Sequence, residues 1–395
     1  MEKPKIRFLK NKHSWVRNTF EEIAKRRTKS SDNPDLPRIE YQDIISGEGR
    51  LNKDLNKNID CRKGIVFETN DILYGKLRPY LKNWLHPNFN GIALGDFWVL
   101  QARNCDSKFL FSLVQSPKFQ RVANDTSGTK MPRSDWKTVS QTEFSIPTSN
   151  DEQSAIGSLF RTLDELLASY KDNLANYQSL KATMLSKMFP KVGQTVPEIR
   201  LDGFEGEWKK AKLKDVAHRV QGNDGRMDLP TLTISASGGW MNQIDRFSAN
   251  IAGKEQKNYT LLKKGELSYN HGNSKLAKYG VVFELKEYEE ALVPKVYHSF
   301  RVNQLADAKF IEIMFSTKIP DRELGKLVSS GARMDGLLNI SFDDFMNITI
   351  IIPTIEEQQA IGSYFSNLDN LIAAHQEKIS QLETLKKKLL QDMFI

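Results

Sequence analysis

Between residues 74 and 82 the sequence Tyr-Gly-Lys-Leu-Arg-Pro-Tyr-Leu-Lys interleaves cations with aromatic residues, directly after the apolar run Ile72-Leu73-Tyr74. Lysine and arginine contact phosphate oxygens or the guanine edge, and a glycine lets backbone approach a ligand closely. The segment Tyr269-Asn270-His271-Gly272-Asn273-Ser274-Lys275 is a polar counterpart, in which asparagine can pair with adenine. Two further loops, 127–133 and 330–333, also combine glycine with basic residues. The candidate contacts are therefore Tyr74, Lys76, Arg78, Lys82, Lys130 and Arg133 in a first set, and Asn270, His271, Asn273, Lys275 and Arg333 in a second. Taken singly, each loop is also what an exposed turn with solvated lysines looks like. As a set they point to DNA contact.

Charge is distributed in the same sense. The chain has 395 residues and a formal net charge of +8. Residues 1–150 carry 26 Lys and Arg against 17 Asp and Glu, and residues 190–355 carry 23 against 21, whereas 151–189 and 356–395 are slightly acidic. A polyanion would meet the first kind of segment and not the second. Catalytic chemistry has little to work with. There is no glycine-rich phosphate loop, no H-E-x-x-H and none of the Asn/Asp-Pro-Pro-aromatic or F-x-G-x-G sequences of an adenine methyltransferase. Glu284-Leu285-Lys286 has the E-x-K form of many nucleases but shows no upstream acidic partner, and alternating charges on the solvent face of a strand account for it. Cys61 and Cys105 lack metal-ligand spacing and read as buried or idle thiols, and with no cofactor or metal motif in the sequence none is expected to be bound. The N-terminal stretch has no signal-peptide core and no run of about 18 apolar residues occurs, which predicts a cytoplasmic chain without a membrane segment.

The elements that must position these loops appear as a repeat. The sequence from Ile146 to Phe189 returns from Ile352 to Phe394, with Glu152-Gln153, Ala155-Ile156-Gly157, Leu163-Asp164 and Met188-Phe189 matched by Glu357-Gln358, Ala360-Ile361-Gly362, Leu368-Asp369 and Met393-Phe394. Each copy follows a proline and opens with a capping box, Ser149-x-x-Glu152 or Thr354-x-x-Glu357. Apolar residues then alternate by four and three, the seam of a left-handed coiled coil. In the first copy these are Ile156, Phe160, Leu163, Leu167 and Tyr170; in the second, Ile361, Phe365, Leu368, Ile372 and His375. Two helices of about 37 residues, roughly 55 Å long at ~1.5 Å per residue, are expected to pack on each other, with Tyr170 and His375 as packing residues.

The blocks before each helix differ in sequence but echo one another. Their composition predicts mixed α/β domains with strands near 72–74, 97–100, 281–285 and 348–352. Asp71-Ile72-Leu73-Tyr74 matches Glu266-Leu267-Ser268-Tyr269, and Pro4-x-Ile6-Arg7 with Trp15 matches Pro197-x-Ile199-Arg200 with Trp208. The expected organisation is a domain over 1–147, a helix over 148–190, a second domain over 191–353 and a second helix over 354–395. With antiparallel helices, the leader at residue 4 would sit by the end of the second helix and close the chain as a pseudo-two-fold ring.

This order of variable block, proline and E-Q-x-A-I helix, twice over, together with the leader P-E-I-R-L-D-G-F-E-G-E-W at 197–208, resembles the specificity subunits of type I restriction-modification enzymes. The resemblance covers the whole chain. It implies two α/β target-recognition domains on two long antiparallel helices, each domain reading one half of an asymmetric bipartite DNA target. It also implies that the helices dock two modification (methyltransferase) subunits, which recruit restriction (helicase-nuclease) subunits. On that reading the chain is not itself an enzyme: S-adenosylmethionine belongs to the methyltransferase partners, and ATP and Mg to the restriction subunits. The competing expectation is a non-catalytic coiled-coil scaffold whose basic domains bind nucleic acid non-specifically.

Overall fold

A computed structural model describes residues 4–8, 14–52, 62–125, 131–247, 253–272, 274–328 and 337–394. It divides into two compact units, Met1–Ala175 with Ala374–Ile395, and Asn176–Ala373. The division runs through both long helices, so each unit holds one domain and half of each helix.

In the first unit the strands used below are β1 (Trp15–Thr19), β2 (Ala24–Arg26), β3 (Ile72–Gly75), β4 (Trp84–Leu85), β5 (Phe97–Ala102) and β6 (Glu143–Pro147). β1 pairs antiparallel with β6, and the others form an antiparallel sheet in the order β2-β5-β3-β4. One face of that sheet, carrying Ile72, Tyr74, Trp98 and Leu100, packs on helices α1 (Ser107–Gln115) and α2 (Pro117–Ala123). The other face, carrying Leu73, Leu85, Phe97 and Val99, packs with Ile39, Phe67 and Ala93 of a second small sheet. Both faces are covered, so β3 is buried along its whole length.

The second unit repeats this plan with β7 (Lys209–Lys212), β8 (Ala217–Arg219), β9 (Leu267–Asn270), β10 (Val281–Glu284), β11 (His298–Val302) and β12 (Thr349–Ile352). β7 pairs with β12, and the sheet order is β8-β11-β9-β10. The long helices are α3 (Asn150–Lys187) and α5 (Ile355–Met393), and α4 (Ala308–Ser316) stands where α1 does in the first unit.

The repeated motif acts at the start of each long helix. Half of each expected capping box forms: the amide of Glu152 donates to Ser149 Oγ at 3.4 Å, and that of Glu357 to Thr354 Oγ1 at 3.4 Å. The carboxylates do not return to the cap. Glu152, fully buried, accepts both prongs of Arg7 at 2.6 and 2.7 Å and the indole N–H of Trp15 at 3.2 Å. Glu357 accepts Arg200 in the same way, at 2.8 and 2.6 Å. A guanidinium from the leader supplies two charge-assisted bonds where the cap offers one amide, and the carboxylate turns to it. The adjoining glutamine ties two more elements. Gln153 accepts from the amide of Asp106, the N-cap of α1, and donates to the carbonyl of Pro147 at the end of β6, both at 2.8 Å. Gln358 joins Asp307, the N-cap of α4, to Pro353 at 3.0 Å each. A glycine then lets the helices meet. A Cβ at Gly157 would lie 2.6 Å from the amide nitrogen of Phe109.

The seam is shared with the domains more than the spacing suggests. In the first unit Ile156, Phe160, Leu163 and Leu167 join one core with Phe109, Leu113 and, from the end of α5, Leu382, Leu390, Met393 and Phe394. In the second unit Ile361, Phe365 and Leu368 join Phe310, Met188 and Phe189. Farther along, the seam is only half-buried at Tyr170, Ile372 and His375, and the rings of Tyr170 and His375 meet at 5.3 Å. Within each unit the helix halves run antiparallel. Asp164 pairs with Lys386 at 2.5 Å, and the positions matching these in the repeat, Asp369 and Lys181, pair as well. The leader also docks as the repeat predicts. The amides of Lys5 and Ile6 donate to Asp392 O at 2.8 and 3.3 Å, and that of Ile199 to Lys187 O at 3.0 Å.

Replacing Arg7 with alanine strands the Glu152 carboxylate in the core and should cost the first unit about 3–5 kcal/mol; Arg200→Ala should do the same to the second. Differential scanning calorimetry checks this, and unchanged unfolding temperatures would remove the buried carboxylates from this role.

Candidate nucleic-acid interface

In each domain the central strand ends in one candidate loop, and a bridge joins that loop to a later segment of the chain. In the first unit Leu77 bridges Arg133, the amide of Arg78 donates to Pro132 O at 2.7 Å, and that of Ser134 to Lys76 O at 2.8 Å. In the second, Gly272 bridges Leu337 and the amide of Leu338 donates to His271 O at 2.9 Å. Counted from Tyr74 and Tyr269, these are the same steps of the same strand. The loops picked out separately in the sequence therefore meet in the first domain; in the second the turn after β9 meets Leu337 and Leu338, while the loop 330–333 lies outside the described residues. Lys130, Asn273 and Arg333 lie outside the described residues.

The first set is cationic, with one acid at its centre. Asp96 accepts Arg133 at 2.7 Å and lies 3.5 Å from Lys76. Arg78 and Lys82 are exposed and pair with no carboxylate among the described residues. Tyr41 donates its hydroxyl to Asp96 O at 2.5 Å and accepts the amide of Leu77 at 3.2 Å, and burial raises its pKa to about 12, so it stays a neutral clamp under the loop. Tyr74 is no surface contact. It is 1 % exposed, lies against Trp98 with ring centroids 5.8 Å apart, and accepts from Gln120 at 3.3 Å. Its place on β3, one residue before the loop, turns its ring inward.

The second set is polar and largely engaged by the fold. Asn270 donates to Ile234 O at 3.2 Å and accepts the amide of Gly272 at 3.1 Å, which closes the turn and uses both ends of the amide. His271 is 6 % exposed, with Nδ1 2.7 Å from Leu338 O and Nε2 2.9 Å from Val296 O. It shapes the loop and does not face outward. His298 stacks on it at 4.7 Å with Nε2 2.9 Å from Ile340 O, so the two imidazoles hold the segment Leu338–Ile340 against the sheet. Lys275 is exposed.

Sequence reasoning missed Asp96, Tyr41 and His298, which lie far along the chain from the loops they hold. The register Tyr269↔His298 in β9 and β11, matched by Tyr74↔Trp98 in β3 and β5, is the signal that pairing the two strand sets would have given. Glu284-Leu285-Lys286 is also revised. The Glu284 side chain is mostly buried, and Lys286 pairs with Glu312 of α4 and lies 3.5 Å from Glu284. Glu312 is the acidic neighbour absent from the local sequence, and Lys286 and Lys309 occupy it. Among the described residues no group of three or more His, Cys, Asp or Glu is placed to hold a metal ion. Among the same residues no helix is long and apolar enough to cross a membrane.

Residues 205–384 match the family described as the type I restriction modification DNA specificity domain. Over those residues the chain is similar to a type I DNA specificity domain. Similarity extends beyond it. The specificity subunit of the type I restriction enzyme MjaVIII from Methanocaldococcus jannaschii is 22 % identical over 355 residues, covering 83 % of this chain and 79 % of that protein. The EcoDI specificity subunit from Escherichia coli is 25 % identical over 189 residues, 46 % of this chain and 42 % of that one. The crystal structure of a type I restriction-modification S subunit from M. genitalium shares the fold over 100 % of this chain and 99 % of its own, with a TM-score of 0.62 at 14 % identity. The fold is thus that of the family that the repeated helices and the leader resemble.

Burial pushes the His298 pKa from 6.5 down to about 4, with His271 and Arg219 acting in the same direction. The folded state therefore resists a proton that the unfolded state accepts, so this stability is present above about pH 6.5 and is lost as pH falls toward 4. At ~1.4 kcal/mol per pKa unit the loss approaches about 3 kcal/mol. Thermal unfolding followed between pH 7 and 4.5 should show a smaller acid loss in His298→Phe than in the parent chain; identical pH profiles would refute it.

Proposed function

We propose that this chain is the DNA sequence-specificity subunit of a type I restriction-modification complex. Each domain reads one half of an asymmetric bipartite target through its bridged loop pair. The observation that carries the reading is that one scaffold appears twice with different exposed residues after its central strand: Arg78 and Lys82 in the first domain, Ser274 and Lys275 in the second. Two similar frames with dissimilar faces suit two dissimilar half-sites, the logic of half-site spacing in dimeric DNA binders. Lys76, Arg78, Lys82, Lys130 and Arg133 serve the first half-site; Lys275, Asn273 and Arg333 serve the second, with Asn270 and His271 shaping its loop.

The helix pair fixes the spacing and docks two methyltransferase subunits. Exposed leucines support this. Leu166 and Leu385 belong to the first unit and Leu371 and Leu180 to the second, and they occupy matching positions of the repeat. Two equivalent pairs of exposed leucines suit two copies of one partner. The chain supplies recognition only, while the methyltransferase subunits bring S-adenosylmethionine and the restriction subunits ATP and Mg.

Methylome sequencing of cells carrying this chain with its methyltransferase partners should return one bipartite, asymmetric motif; a continuous motif, or none, would sink the reading in favour of non-specific binding. The helices also make a test of spacing. One heptad inserted after Ala175 and another after Ala373 adds about 10 Å at ~1.5 Å per residue, or roughly three base pairs. The half-sites should stay the same while the spacer grows or activity is lost through the rotation of one site about the duplex. An active enzyme with an unchanged spacer shows that the helices do not measure it.

A further inference from the structure

We infer that Tyr80 and Leu81 read a thymine 5-methyl group in the half-site of the first domain, and that Leu276 does so in the second. The inference rests on the DNA reading above and names a component of its specificity. Pro79–Leu81 forms a single 3-10 turn bracketed by two left-handed residues, Arg78 at φ 50° and Lys82 at φ 55°. Side chains other than glycine adopt that conformation reluctantly, and such strain persists where surrounding bonds impose it. Here they do. The amide of Arg78 donates to Pro132 O at 2.7 Å, Leu81 to Arg78 O at 2.8 Å, Lys82 to Pro79 O at 2.9 Å and Gly47 to Lys82 O at 2.9 Å, while the Ser46 hydroxyl donates to Leu81 O.

This fixed turn exposes apolar side chains. Tyr80 is 55 % and Leu81 40 % exposed, although Pro79 between them and Arg78 is buried. Arg78 and Lys82 flank the pair on either side. An apolar tip between two exposed cations suits a surface that is anionic at its edges and apolar at its centre. The major groove at a thymine has that form, with phosphates at its rim and the 5-methyl group on its floor. Leucine forms no hydrogen bond, so among base edges it gains most from that methyl. The second domain has an exposed leucine at the same sequence interval. Leu276 follows Tyr269 at the interval at which Leu81 follows Tyr74, is 63 % exposed and adjoins the exposed Lys275.

Methylome sequencing of cells carrying the full chain with its methyltransferase partners supplies the first arm. Tyr80→Ser with Leu81→Ser should relax one A·T position in one half-site and leave the other half-site intact, Leu276→Ser should do the converse, and Tyr80→Phe with Leu81→Met should keep the parent motif. The second arm is a band-shift titration at stated salt on a duplex of the parent motif carrying deoxyuridine at that thymine. The parent complex should bind it about fourfold to tenfold more weakly, and the serine variant should not distinguish the two duplexes. The inference is overturned if the serine variants keep the parent motif, if relaxation falls at a G·C pair, or if deoxyuridine has no effect. A parent chain that yields no bipartite motif overturns the DNA reading itself, a separate outcome.

Discussion

The buried carboxylate in the first turn of each long helix is the contact on which the rest of the architecture depends. Glu152 and Glu357 sit where a leader, a strand end, a helix start and a neighbouring helix converge, and each is neutralised by an arginine more than a hundred residues away in sequence. A carboxylate so placed is tolerable only when paired, so burial of the helix at that point depends on the docked leader. The adjacent glutamine extends the tie to the N-cap of the following helix and the end of the preceding strand. The residues that repeat most faithfully are thus the ones that join domain to helix, while those free to differ line the bridged loops.

Much of this frame was legible in the sequence because it rests on periodicity and repetition. The helix starts, the docking of a leader at a helix end, and the echo of β3 in β9 all come from patterns a few residues long that occur twice. What stayed hidden depends on burial from both sides and on distant partners. Tyr74 reads as the first residue of an aromatic and cationic loop, yet β3 has a sheet face packed on helices and another packed on a second sheet, which leaves no outward side for it. The glutamates read as capping residues because Ser149-x-x-Glu152 is a local signal and Arg7 is not. His271 reads as a donor for a base, but the carbonyls that claim both its ring nitrogens belong to segments 25 and 67 residues away. Lys76 and Arg133 were visible as cations, and Asp96, which draws them together, was not.

The two domains also show how one frame holds different chemistry. At the step where β5 sets Trp98 beside Tyr74, β11 sets His298 beside Tyr269. The first choice closes the core with a stack of rings; the second adds imidazole nitrogens that can hold backbone carbonyls. The loop above changes accordingly, from cations gathered on Asp96 to a polar turn held by Asn270 and His271. Neither exchange disturbs the strand order.

The second unit is a continuous stretch of chain, whereas the first is assembled from Met1–Ala175 and from the last residues, Ala374–Ile395. During vectorial synthesis the later unit has all its parts first. The earlier one waits, with Phe109 and Phe160 lacking their neighbour Phe394 until that residue has been added. A chain released early at residue 373 would therefore carry its damage at the opposite end, in the core of the domain made first. The exposed interval falls on the N-terminal domain, and it lasts as long as the ribosome takes to make the other one.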